Sequence, residues 1–239
     1  MHCLDLGVYQ SVAASCLFEL VEWGCWDGEA IQESFYLAHA EYKVWCCFVG
    51  VPPCVRFERQ KLITGPFDFP CFTQKQAKAS QTRYLMRWLA TVCSKPAVAY
   101  SEHGSMLRMM MTSFAMFEEL CDKHGRWLPV PDRQLMAQHM ENALVSMNAM
   151  HDVARNNGKY RWQLIPKCHM ATHMVFDIAA TGVNPRRTTC YADEDMVGKV
   201  KKIMTKCHGS TAGKRCMDRY AILVGTRWWQ RLAELRGFR

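Results

Sequence analysis

Apolar and polar positions along this chain recur mostly with the period of a helix. Val8 to Val21 reads as a buried helix. Ile31, Phe35, Ala38, Tyr42, Trp45 and Val49 follow one another at steps of four and three, a single helical stripe, with Asp27 as the expected cap. Between Gly50 and Pro70 lie four prolines and two glycines, so residues 50–72 read as an irregular connection. It is the one expected internal boundary, although Phe57, Leu62, Ile63, Phe67 and Phe69 imply that it packs down. Thr73 is the expected cap of a helix running to about Cys93, with Tyr84, Leu85, Trp88, Leu89 and Val92 on its face. Ser105 is the expected cap of another, with Leu107, Met110, Met111, Phe114, Phe117, Leu120 and Cys121 inward, ended by Gly125 and Pro129.

Asp132 opens a long helix through Leu135, His139, Met140, Leu144, Met147 and His151, stopped by Asn157-Gly158. A helix over Ile165 to Ala180 carries Pro166 in its first turn, and Gly182 to Arg187 is a turn. Asp193 caps a helix reaching Cys207, and Thr211 to Leu235 forms the last one. Strand signals are confined to Ala97–Tyr100 and Thr188–Tyr191, both short. The expected fold class is mainly α, with a helical region over 1–158 and a basic helical region over 159–239. The many methionines read as core filling.

Composition sharpens this picture. Of 239 residues, 49% are apolar, enough for a sizeable core, and Gly (14) and Pro (9) are too few for a turn-rich β protein. Charge is unevenly placed. Met1 to Ala154 holds 13 Lys and Arg against 16 Asp and Glu, whereas Arg155 to Arg239 holds 17 against 6. A basic block of this kind either meets a polyanion or forms a solvated face. Thirteen cysteines without a C-x-x-C pair or a secretory leader read as reduced thiols in a cytosolic or nuclear protein. No run of 18 apolar residues occurs, so no membrane span is expected. The chain enters an apolar segment almost at once, as a piece of a longer protein would.

Candidate chemistry gathers late in the chain. His169 and His173 stand four apart, the spacing that lets two imidazoles meet one metal ion; local hydrogen bonding is the alternative. Met170, where a zinc protease would have Glu, disfavours that class. Cys168, Cys190, Cys207 and His208 would complete a zinc site only if the fold gathered them. Asp193-Glu194-Asp195 marks a helix start, where carboxylates complement the macrodipole or, in the functional reading, hold Mg²⁺ or Mn²⁺ for phosphodiester cleavage. Arg186, Arg187, Lys199, Lys201, Lys202, Arg215, Arg219, Arg227 and Arg231 are the candidate nucleic-acid contacts, with Trp228 and Trp229 available to stack on bases. No G-x-S-x-G, G-x-x-x-x-G-K-[ST] or dinucleotide glycine fingerprint occurs.

In its order of landmarks the chain resembles the C-terminal part of a cut-and-paste DNA transposase of the CACTA (En/Spm-like) group. Those landmarks are Met1-His2 before an apolar helix, long helices over Leu107 to Cys121 and Leu135 to Ala154, Pro166-Lys167-Cys168-His169 with His173, Cys190-Tyr191, then an acid followed by Lys199 to Lys202. The similarity is dense only over about Lys159 to Lys206. It implies the helical insertion and last helices of an incomplete RNase H-like core, with Glu194 as the catalytic carboxylate and Asp193 beside it. The family's other two catalytic aspartates lie upstream of the Met-His landmark. The resemblance therefore implies a DNA-binding piece, inactive alone, completed by a missing N-terminal core or by another copy. The alternatives are a non-enzymatic helical module that binds nucleic acid or protein, and a zinc-stabilised helical domain.

Overall fold

The computed structural model describes residues 3–63, 65, 67–100 and 102–188, and beyond them residues 201, 204–205, 211, 213–215, 217–219, 221–222, 225–226 and 229. The chain divides into two compact units, Met1–Thr188 and Thr189–Arg239. The protein is mainly α. Among the described residues the one β pairing is an isolated antiparallel bridge between Trp127 and Val183.

In the first unit a π-helical turn, Leu4–Val8, leads into α1 (Tyr9–Glu22). There follow α2 (Ile31–Val49), α3 (Arg59–Leu62), α4 (Ala79–Cys93), α5 (Pro96–Ala99), α6 (Glu102–Lys123), α7 (Val130–Asn156) and α8 (Pro166–Thr181), closed by a 3-10 turn at Pro185–Thr188. Apolar residues run around α1 rather than along one stripe, and every residue from Tyr9 to Val21 is buried. It packs on α2 and α4; the π-helical turn packs on α4 and α8, α6 on α4 and α7, and α7 on α8. Each fully buried Leu or Phe of α1 contributes about 1.5–3 kcal/mol relative to exposure. The stretch Leu4–Glu22 has the length and hydropathy of a membrane span, but it is the core helix here, 89% buried.

Polar groups on α1 are tied to distant segments. The Tyr9 hydroxyl donates to Glu118 Oε1 (2.8 Å), Gln10 Nε2 donates to the Ala77 carbonyl (3.3 Å), and Ser15 Oγ accepts from the Trp162 amide (3.0 Å). Trp162 is fully buried at φ 55°, a left-handed conformation unusual for a bulky residue. Its carbonyl is met by His151 Nδ1 at 3.0 Å. An aromatic group formed by Trp26, Tyr42, Phe57, Phe72 and Trp88 joins α2 and α4 to the irregular connection, with neighbouring ring centroids 5.2–6.1 Å apart. Residues 50–72 therefore pack into the first unit. Phe57 and Leu62 are buried as expected, whereas Phe67 is 72% exposed. Met110, Met111, Met136, Met140, Met147 and Met150 fill the core between α6 and its neighbours.

Helix starts differ from the sequence expectation. The cap residue of α2 is Ala30, without a side-chain cap bond, rather than Asp27. Thr73 opens a separate turn that ends at Ala77, and α4 begins after Lys78, whose amide donates to Gln81 Oε1 at 3.0 Å. Ser105 lies one turn inside α6. The expected strand Ala97–Tyr100 is instead a single helical turn, because Pro96 sits at its first position with φ preset for helix. Residues 159–188, read as part of the basic region, belong to the first unit.

In the second unit, residues 213–215, 217–219, 221–222 and 225–226 are helical, within the expected last helix. Thr226 Oγ1 donates back to the Ile222 carbonyl at 2.8 Å. The helix expected from Asp193 to Cys207 lies largely outside the described residues.

Candidate functional site

Pro166 at the first position of α8 and left-handed Gly182 (φ 68°) after its end delimit a 16-residue helix. A Cβ at Gly182 would also collide with the Arg133 guanidinium. On this helix the i,i+4 spacing brings His169 and His173 together: their Nε2 atoms are 2.9 Å apart and their rings meet edge to face, centroids 4.4 Å apart. Both are exposed. Beside them opens a cleft of about 380 Å³, lined among others by Cys3, Met170, His173, Met174 and Asp177. Cys168 is half-buried, and burial pushes its thiol pKa up. Cys190, Cys207 and His208 lie outside the described residues. Among the described residues no group of three or more His, Cys, Asp and Glu side chains is arranged to hold a metal ion.

Arg186 has a different setting from the one the charge pattern led us to expect. Its guanidinium donates to the carboxylates of Glu118 and Asp122, and Arg87 also donates to Asp122. The Arg186 side chain is 14% exposed and that of Glu118 fully buried. Burial works against the Arg186 charge, but Glu118 and Asp122 outweigh it and its pKa rises. Its positive charge is thus matched inside the fold rather than presented to a phosphate. Arg187 is exposed, with Nη2 3.4 Å from the His124 carbonyl. The preceding Asn184 is fully buried, and its Nδ2 donates to the carbonyls of Cys121, His124 and Gly125 at 2.9, 3.1 and 3.0 Å. It closes the C-terminal end of α6, where helix carbonyls have no partner of their own.

A larger cleft, about 620 Å³, lies elsewhere in the first unit. Phe18, Val21, Ile31 and Phe35 make an apolar side, and Glu22, Arg59, Lys159 and Arg161 a charged one. Glu22 bridges Lys159 (2.7 Å) and Arg161 (2.6 Å), and the Arg161 guanidinium carbon sits 4.7 Å from the Phe18 ring centroid. Sequence reasoning missed this site, because its charged partners are 137 and 139 residues apart.

Glu19, buried behind Arg161, is pushed above its ordinary value near 4.5 by burial, against the pull of Lys159 and Arg161. Its charged form is less stable in the fold than in the unfolded chain. Its contribution to stability is therefore fully present below the unfolded value and is lost as pH rises through the folded one. Glu19→Gln is expected to remove that loss. Urea titrations of both proteins at mildly acidic and neutral pH check it, and an unchanged pH difference rejects the assignment.

The carboxylates Asp193 and Glu194, and the cations Lys199, Lys202, Arg227 and Arg231, lie outside the described residues. Lys201, Arg215 and Arg219 are described and exposed, as are Lys214 and Trp229. No protein-family model, curated protein or solved structure matches the chain.

Proposed function

We propose that this protein is a helical nucleic-acid-binding module, with DNA as its partner and the second unit as its contact surface. The supporting observation is where the positive charge is concentrated. Residues 189–239 hold eleven Lys and Arg against five Asp and Glu, and Lys201, Lys214, Arg215 and Arg219 are exposed. In the first unit Arg87, Arg161 and Arg186 are paired with carboxylates. Exposed cations facing a polyanion release condensed counterions, and Trp229 offers a face for an unpaired base.

Binding of this kind has a defined salt signature. The logarithm of the affinity for duplex DNA should fall linearly with the logarithm of salt concentration, and Lys201→Glu, Arg215→Glu and Arg219→Glu should each lower the slope by about 0.9. Fluorescence anisotropy across a salt series measures it. A slope that the triple variant leaves unchanged rejects the surface, and no binding at low salt rejects the function.

The finer reading, a transposon-derived piece in which Glu194 gives one carboxylate to a Mg²⁺- or Mn²⁺-dependent strand-transfer site, rests on the resemblance. In an active transposase of the resembled group, replacing the residue that matches Glu194 by Ala would abolish cleavage and leave the salt-dependent binding intact. Retained cleavage would leave only the binding module.

A further inference from the structure

We propose that His169 and His173 form a two-imidazole chelate for a divalent transition ion of tetragonal preference, of the Ni²⁺ and Cu²⁺ class. The two rings occupy successive turns of α8, both exposed, with Nε2 atoms turned to each other at 2.9 Å. Metal–imidazole bonds are about 2.0–2.1 Å long, so two of them at a right angle place their nitrogens about 2.9 Å apart, while a tetrahedral angle opens the gap to about 3.3–3.4 Å. The 2.9 Å separation equals the cis edge of a square or octahedron, and the exposed rings would have to open by about 0.4–0.5 Å to span a tetrahedron.

Ligand chemistry points the same way. Paired imidazoles suit Cu²⁺, Ni²⁺ and Zn²⁺, with Cu²⁺ held most tightly, whereas Mg²⁺ takes oxygen ligands and keeps its waters. In the free protein the two rings share an N–H···N hydrogen bond, which between exposed groups exchanges with water for little net gain, so an incoming ion competes with it easily. Two protein nitrogens leave the other coordination positions open. The adjoining cleft, with Met170, Met174 and Asp177 on its wall, gives water or an incoming ligand access to them. Asp177 stands one further turn along from His173 and adds negative charge near a bound cation. This chelate is independent of the nucleic-acid reading, since none of its residues lies in the second unit.

The test uses the full chain with accessible thiols, Cys47 among them, blocked by iodoacetamide. Calorimetric titration with Ni²⁺ at neutral pH is expected to give one site per chain. His169→Gln and His173→Gln should each weaken it by roughly tenfold or more, and His151→Gln should not. With Cu²⁺ in place of Ni²⁺, electron paramagnetic resonance should resolve two equatorial nitrogens, falling to one in either variant. Both substitutions are on exposed positions, and circular dichroism verifies that the helix persists. Ni²⁺ binding that survives the double variant, or a Cu²⁺ spectrum the variants leave unchanged, overturns the chelate. Neither result bears on the salt series with DNA.

Discussion

Replacing Arg186 with alanine is expected to destabilise the first unit by about 3–5 kcal/mol, the usual cost of stranding one partner of a buried ion pair. Arg186 bridges two α6 carboxylates one turn apart, Glu118 and Asp122. The two differ in what its loss would do. Asp122 is 44% exposed and keeps Arg87, so water and a second cation compensate it. Glu118 is fully buried, and the Tyr9 hydroxyl is left to hold it. Burial together with the Glu118 charge already pushes the Tyr9 hydroxyl pKa well up, so Tyr9 remains a neutral donor and cannot replace a cation. Glu118→Gln in the Arg186→Ala background should recover much of the loss by removing the stranded charge. Urea denaturation of the two single variants and the double variant measures the coupling. Additive losses would mean that the pair does not act as a unit.

The second large effect is expected at Asn184. Its side chain has two N–H hydrogens and serves three carbonyls at the end of α6, while Oδ1 accepts from the Arg186 amide at 3.0 Å. Asn184→Ala removes all three bonds and leaves the buried Cys121 carbonyl without this donor, at a cost of about 2–4 kcal/mol. For a unit of this size that lowers Tm by roughly 5–15 °C. Asn184→Asp is nearly the same shape, yet it sets a carboxylate against three carbonyl oxygens. It should be at least as damaging as alanine, and thermal denaturation at neutral pH ranks the two. If aspartate is tolerated and alanine is not, the residue fills space rather than closing the helix.

These two positions also mark how far the sequence could be read. Helices over the strongly periodic segments were legible: the stripe through Phe35, Ala38 and Tyr42, the methionine-rich faces of α6 and α7, and the Pro166 start of α8 all follow from local pattern. The starts of α2 and α4 were not, because Ala30 rather than Asp27 precedes α2 and Thr73 opens a separate turn before Lys78. His169 and His173 could be paired on paper because their meeting needs only one helical turn. Arg186 could not be assigned, since the carboxylates it serves are 68 and 64 residues away. A guanidinium suited to phosphate is equally suited to carboxylate, and only the fold says which one it meets.

The burial of α1 has a consequence for how the chain is made. Ser15 meets its partner Trp162 only after 147 further residues have been added. At about 5–20 residues per second that interval lasts roughly 7–30 s. Throughout it the most apolar helix of the nascent polypeptide lacks part of its final cover. Closure of the first unit therefore waits on translation of the segment just before α8, and until then α1 is open to aggregation.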